Sequence, residues 1–440
     1  MAIGFIVVLV CCFGLGLAVV GGSLSASSSP PIRAALVTCS GVIVMHALLQ
    51  ALSAFGVRWA SCWILLPAVA ALGLASLRRT AGPTDRVAPG WGDAFCAAAL
   101  AIVGVFAAKL WITTADFVYH WGVKGRKFFL ASGIDYEYLS RPWNVLAVPW
   151  YPTTLSELYA ASALISREWS AGEMMMWSVL WIVLIAAAAR GTLQRSGVFA
   201  ADMQWGMALL GGSMGTLAIA LRLAGGADWM IALAVLLGVS PYLEHESATA
   251  ISNRNDLLCV AVAAAFAAAS KVEGTVLGAI LIAAKVTHDS LRDRRVAIKG
   301  LVAIAFPFAT VVGINVAQNG RLGLRLPAVN LPSLERVAEI APATTAALAD
   351  RPLYGLPLLA LAAIPLLLSK RGRWAAGIVL LQLSSYFFVY AVSSGSLHFY
   401  IATTLHRLLV HVIPAVIVIL LVVTCAPSRQ ESRAESAGLS

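Results

Sequence analysis

Charge is scarce in this sequence: Asp, Glu, Lys and Arg make up 12% of its 440 residues, while 60% are hydrophobic. A soluble chain needs far more polar surface to stay dispersed, which excludes a water-soluble protein with one very large core. Acids are scarcer than bases, 21 against 31. The Lys and Arg residues sit between apolar runs, the distribution that sets membrane orientation, so no nucleic-acid partner is expected. The seven cysteines (Cys11, Cys12, Cys39, Cys62, Cys96, Cys259, Cys425) all fall in apolar stretches. No pair has metal-ligand spacing in a polar context, so neither a disulfide framework nor zinc is expected. P-loop, strand-borne GxGxxG, EF-hand and convincing internal repeat are all missing, which removes most nucleotide-dependent functions. The first residues, MAIGFIVVLV, lack a basic n-region and a cleavage site. They are expected to form a retained helix instead of a removed signal peptide.

Long apolar runs are what the chain does have, and lipid admits such runs only as helices with internally satisfied backbones. The pattern predicts an all-α, polytopic transmembrane bundle of about thirteen helices, at 3–22, 34–56, 59–77, 93–113, 172–190, 203–221, 229–243, 256–270, 274–287, 300–317, 352–369, 374–394 and 407–425. Segments 229–243 and 256–270 are short, and short interrupted helices often surround a buried site. The expected organisation is N-terminal membrane helices over 1–92, a core over 93–317 that includes the external loop 114–171, an amphipathic segment over 318–351, C-terminal membrane helices over 352–425, and a disordered tail over 426–440. In the amphipathic segment, Asn330 or Ser333 is placed to cap a helix lying along the membrane surface.

Orientation follows from the short loops. Arg78, Arg79 and Arg86 follow the third predicted helix, Arg190 and Arg195 the fifth. Lys285, Arg292, Arg294, Arg295 and Lys299 follow the ninth, and Lys370, Arg371 and Arg373 the eleventh. All lie on one side, which the positive-inside rule makes cytoplasmic. The protein is therefore expected in the bacterial inner (cytoplasmic) membrane as a multi-pass chain, its N-terminus periplasmic and its tail cytoplasmic. The long loops then fall on the periplasmic face, where chemistry is sought.

Four stretches carry residues suited to chemistry. In DFVYHWGVKGRKFF, Asp116 stands just beyond a membrane helix and is followed by Lys124, Arg126 and Lys127 among aromatics. A carboxylate at a dry interface can act as a general base, and neighbouring cations can hold a phosphate. An interfacial aromatic belt with snorkelling basic side chains accounts for the same composition. AASKVEGT sets Lys271 and Glu273 between apolar segments, where ionisable groups need partners or a polar cavity, unless they lie in a loop facing water. GGADWM offers Asp228, which also suits a helix cap. SLHFYIATTLHRLLVHVIP places His398, His406 and Arg407 near the last predicted helix; His406 and His411 are not four apart, which disfavours a helical two-His metal site.

In order and on one membrane side, these pieces resemble the GT-C superfamily, integral-membrane glycosyltransferases that use polyprenyl-phosphate sugars. ADFVYHWGVKGRKFF is similar to the bacterial "WDAxxxWxxKAxxFF" pattern and PWYPTTLSEL to "DYPPLxPL". GGADWMIAL is similar to "GYADLPLAL", SKVEGTVL to "TKNEGLLL", and IATTLHRLLVHVIP to "TSLxRLLLQLxP". The likeness spans roughly residues 110–415. It departs where Trp150 stands in place of an acid before Tyr151, and where Val272 replaces an amide between Lys271 and Glu273.

The resemblance implies a GT-C-like fold and transfer of a sugar to a lipid, glycan or protein acceptor at the periplasmic face, with inversion. Asp116 would be the general base, while Lys124, Arg126, Lys271 and Arg407 would bind the donor phosphate. Trp121, Tyr151, Asp228, Glu273 and His398 would line the substrate site. Membrane lipid surrounds the protein; no cofactor is required, although the superfamily admits a divalent metal. Two other classes stay open: a transporter or flippase of lipid-linked sugars, which needs a polar path across the bilayer, and an assembly subunit for envelope polysaccharide. Convergence of Asp116, Asp228, Lys271, Glu273 and Arg407 favours the enzyme; dispersal of these residues over the surface favours the assembly subunit.

Overall fold

Every regular element among the described residues is helical, apart from one bridging pair, Thr113 with Ala224. The computed structural model describes residues 2–23, 29–62, 71, 88–141, 144–243, 250–293, 298–323, 332–349, 369, 372–393 and 396–425. Two helices open the chain, α1 (Ile3–Val20) and α2 (Pro30–Ala54), followed by α3 (Trp91–Ala108). The segment between α3 and the next long helix holds α4 (Gly122–Ala131), α5 (Tyr136–Ser140) and α6 (Thr154–Ser166). Then come α7 (Ala171–Arg195), α8 (Ala200–Ala220), α9 (Asp228–Val239), α10 (Ala250–Ser270), α11 (Val272–Asp293) and α12 (Ile298–Arg321). The last four are α13 (Leu334–Ala349), α14 (Arg373–Val392), α15 (Leu397–Val410) and α16 (Ile413–Cys425).

Six of these, α1, α2, α3, α7, α14 and the Gly300–Arg321 part of α12, are long and apolar enough to cross a membrane. The bent pair α15–α16 makes a seventh. The chain is thus a multi-pass helical membrane protein, as its composition requires. Helices α8 to α11 occupy four of the predicted spans but are not among these seven: α9 and the apolar part of α10 are too short, while α8 and α11, at 21 and 22 residues, are long enough but not apolar enough. Most of the predicted spans 59–77 and 352–369, the basic positions Arg78, Arg79, Arg86, Arg294, Arg295, Lys370 and Arg371, and the tail 426–440 lie outside the described residues.

The predicted final span 407–425 is corrected: α15 already begins at Leu397, and the helix breaks by 45° before α16. Pro414 has no N–H to give, and its ring crowds the carbonyl of Val410 four residues back. In the amphipathic segment Ser333 is the cap, accepting from the Arg336 N–H at 3.1 Å; Asn330 lies outside the described residues.

Hydrogen bonds sort the helix ends onto two faces. At one, Glu173 near the start of α7 accepts from the Phe5 N–H of α1 at 2.8 Å, and Ser166 at the end of α6 accepts from the Gly4 N–H at 3.0 Å. A carboxylate between two helix N-termini satisfies orphan donors and suits both dipoles. At the opposite face, Arg190 of α7 holds Asp93 of α3 at 2.7 Å, and Ser196 donates to the Leu243 carbonyl at 3.0 Å. There too His288 of α11 meets Trp374 of α14 edge-on. Arg190, Arg195, Lys285 and Arg373 therefore share one face. At the centre runs α9, DWMIALAVLLGV, with every residue buried. It is apolar all round after Asp228, the composition of a helix enclosed by neighbours, and it packs on α7, α10, α15 and α16.

Candidate functional site

Two short connections set the site. Beyond α3 the chain extends beside the link between α8 and α9: the Thr114 N–H reaches the Ala224 carbonyl at 2.8 Å, and the Ala224 N–H reaches that of Ile112 at 3.0 Å. Two residues past one arm of this bridge is Asp116; four past the other is Asp228. Gly225 turns between them at φ +90°, donating to Ser178 of α7 at 2.7 Å. A Cβ there would be strained by φ and would meet Met175 and Phe117.

Asp116 opens a single π turn, Phe117–Trp121, closed by the Gly122 N–H on the Phe117 carbonyl. Such turns often sit at functional sites. A Cβ on Gly122 would lie 2.4 Å from that carbonyl oxygen, so the turn requires glycine there.

Arg407, on α15, joins the two acids. Its guanidinium forks onto Asp116, Nη1 to Oδ1 at 2.9 Å and Nη2 to Oδ2. It also donates to Asp228 Oδ2, from Nη2 at 2.9 Å and Nε at 3.2 Å. The other oxygen of Asp228 takes Lys271 Nζ at 2.7 Å and His411 Nε2 at 3.0 Å. A carboxylate can only accept here, so His411 donates from Nε2, and its Nδ1 meets the Tyr386 hydroxyl at 2.7 Å. His120 Nε2 stands 3.7 Å from Asp116. The acidic and basic charges of the four core residues balance, as burial demands. Exposure is graded across them: Asp228 is 0% and Lys271 5% exposed, against 13% for Asp116 and 22% for Arg407. Asp116 and Arg407 thus form the open edge of the cluster.

Beside it lies an aromatic wall. Trp121 stacks on Tyr151 with centroids 5.9 Å apart, and Tyr151 donates to Glu273 Oε1 at 3.1 Å. Burial, then the Glu273 carboxylate, pushes the Tyr151 hydroxyl up. On the Trp121 ring sits Lys124 Nζ, 4.6 Å from its centroid. Burial pushes this amine down to about 7, against the pull of Asp116 and Glu157.

The structure therefore brings together Asp116, Asp228, Lys271 and Arg407, with Trp121, Lys124, Tyr151 and Glu273 alongside. Arg126 is exposed on α4 and His398 on the first turn of α15; neither makes an ion pair or hydrogen bond among the described residues. Asp228 is not a cap: Ala227 holds the cap position of α9, and the carboxylate serves the cations. His411 and Tyr386 were not singled out in the sequence, although His411 lies four residues after Arg407, on the same helix face. A second buried set was also not singled out. Glu157 accepts from His46 at 2.8 Å, from Gln50 at 2.7 Å and from Thr153 at 2.6 Å, and Gln50 donates on to Gln318 at 2.8 Å.

Among the described residues no three His, Cys, Asp or Glu side chains group as a metal site. Asp116 and Asp228 are already engaged by Arg407, Lys271 and His411. That donor set does not fit a divalent ion.

The chain matches no family model, no curated protein and no solved structure. What the site can do follows from its own geometry.

Proposed function

We propose that the protein is a membrane glycosyltransferase of GT-C-like architecture, moving a sugar from a polyprenyl-phosphate donor to an acceptor hydroxyl at the periplasmic face. The observation that carries this reading is the meeting of Asp116 and Arg407 at the open edge of a buried ion cluster, next to the Trp121–Tyr151 wall. Arg407 binds carboxylates in the forked geometry that also suits phosphate. A donor phosphate would compete with Asp116 for that guanidinium. The exchange would release a carboxylate oxygen at the point where an acceptor hydroxyl must lose its proton.

The acceptor oxygen would then attack the anomeric carbon and give its proton to Asp116. The bond from that carbon to the phosphate oxygen breaks, and polyprenyl phosphate leaves with the electron pair. Arg407 and Lys124 would meet the growing phosphate charge in a poorly hydrated setting. Lys271 and His411 would hold Asp228, and Asp228 in turn holds Arg407. A single direct displacement inverts the anomeric centre. About thirteen spans, a periplasmic N-terminus and a cytoplasmic tail in a bacterial inner membrane complete the proposal. A transporter needs a polar path, whereas α9 behind the cluster is apolar from Trp229 to Val239.

The test is turnover by purified protein in lipid, offered polyprenyl-phosphate sugars and, separately, nucleotide sugars. Transfer from the lipid-linked donors alone is expected. Transfer from nucleotide sugars, or from no donor by folded protein, would contradict the proposal.

A further inference from the structure

Arg407 meets Asp116 and Asp228 only while α15 keeps one rotation about its axis. The helix breaks by 45° before α16, so continuity with the next segment does not fix that rotation. A guanidinium forked onto an anion tolerates little misalignment. The hold on α15 comes instead from α14.

Tyr386 and Tyr390 stand one turn apart on α14 and so share a face; both are buried. The Tyr390 hydroxyl lies 2.8 Å from Thr404 Oγ1. Thr404 already gives its own proton to the Tyr400 carbonyl at 2.7 Å, so Tyr390 is the donor. The Tyr386 hydroxyl lies 2.7 Å from His411 Nδ1. His411 gives its Nε2 proton to Asp228 at 3.0 Å, which leaves Nδ1 of the neutral ring to accept from Tyr386. Thr404, Arg407 and His411 follow the i, i+3, i+7 spacing of one helix face. The two hydroxyls therefore grip α15 on either side of Arg407. The end of α14 is held in turn: Arg336 of α13 donates to the Tyr390 carbonyl at 2.9 Å and to Ser393 Oγ at 2.8 Å.

We infer that Tyr386 and Tyr390 are positioning residues: a pair of α14 hydroxyls that sets the rotation of α15 and so aims Arg407 at the donor phosphate. The inference rests on the proposed function for the identity of that ligand. Both tyrosines act through Arg407.

The experiment measures steady-state transfer by the full-length protein in lipid nanodiscs, with donor and acceptor varied separately, and binding of a short-chain prenyl methyl phosphodiester. Tyr386→Phe and Tyr390→Phe each remove one oxygen and keep the ring. Each should raise the donor KM and the diester Kd by about 2–10-fold and leave the acceptor KM in place. Arg407→Lys supplies the second arm. A lysine cannot fork, so Tyr386→Phe in that background should weaken diester binding no further. Tyrosines that only pack α14 would lower the thermal midpoint and the active fraction, leaving donor KM and diester Kd where they were. If either Phe variant does not fold, Thr404→Val removes a clamp contact from the α15 side and should raise the donor KM in the same way. Unchanged diester binding in the folded variants overturns the inference and leaves the proposed function standing, as does a loss that adds in full to that of Arg407→Lys. Absence of both transfer and diester binding in the wild type overturns both.

Discussion

Under the proposed function, Asp116→Asn should lower glycosyl transfer by ~10²–10⁴-fold, the usual contribution of a positioned general base, while the protein stays folded and holds its donor. The expectation rests on where this carboxylate stands. It lies at the partly exposed edge of the cluster, 13% open, whereas Asp228 is sealed. The amide keeps the shape but cannot take up a proton. Arg407 retains Asp228 at 2.9 and 3.2 Å, and Lys271 retains it at 2.7 Å, so the buried charges keep a partner. Single-turnover transfer and donor binding, measured on the same preparation, separate lost chemistry from lost binding. Turnover by the Asn variant within a few-fold of wild type would remove Asp116 from the role of base.

Asp228→Ala fails differently, at the level of the fold. Its carboxylate is the shared partner of Arg407, Lys271 and His411. Truncation leaves Lys271 buried with no counter-charge and Arg407 with Asp116 alone. Breaking a buried pair by removal of one partner costs about 3–5 kcal/mol, a large share of the ~5–15 kcal/mol that holds a typical protein folded. Thermal unfolding in detergent should show a markedly lower midpoint, and the yield of folded protein should drop. A wild-type midpoint would mean that water or a rearranged Asp116 replaces Asp228 without cost. The two aspartates, similar in sequence, are thus expected to separate into one of chemistry and one of architecture.

Much of this was legible in the amino-acid sequence. Composition and apolar runs are enough to require a helical membrane bundle, because lipid leaves the backbone no other choice. Asp116, Asp228, Lys271 and Arg407 could be singled out because each interrupts or flanks an apolar run, where a charge needs a reason. Their mutual pairing could not be read. Arg407 and Asp116 are 291 positions apart, and no local periodicity connects them. Glu157 and His46, separated by 111 positions, escaped for the same reason.

Arg126 was grouped with Lys124 because the stretch is basic. On a helix, however, two residues' separation turns a side chain about 200°, so one faces the core and the other solvent. Asp228 offered a local explanation as a cap, and the need of Lys271 and Arg407 for a buried partner took precedence. The continuous last helix suggested by hydropathy overlooked Pro414, whose backbone breaks it next to His411.

On the proposed function, Arg407 exchanges Asp116 for the phosphate of a lipid-linked donor, and that exchange is open to direct observation. It is tested most directly by a structure of the protein in nanodiscs with a non-hydrolysable polyprenyl phosphosugar. Phosphate oxygens are expected within hydrogen-bond reach of Arg407, with the fork onto Asp116 opened and the sugar against Trp121 and Tyr151. A phosphate bound elsewhere, with the Arg407–Asp116 fork intact, would contradict it.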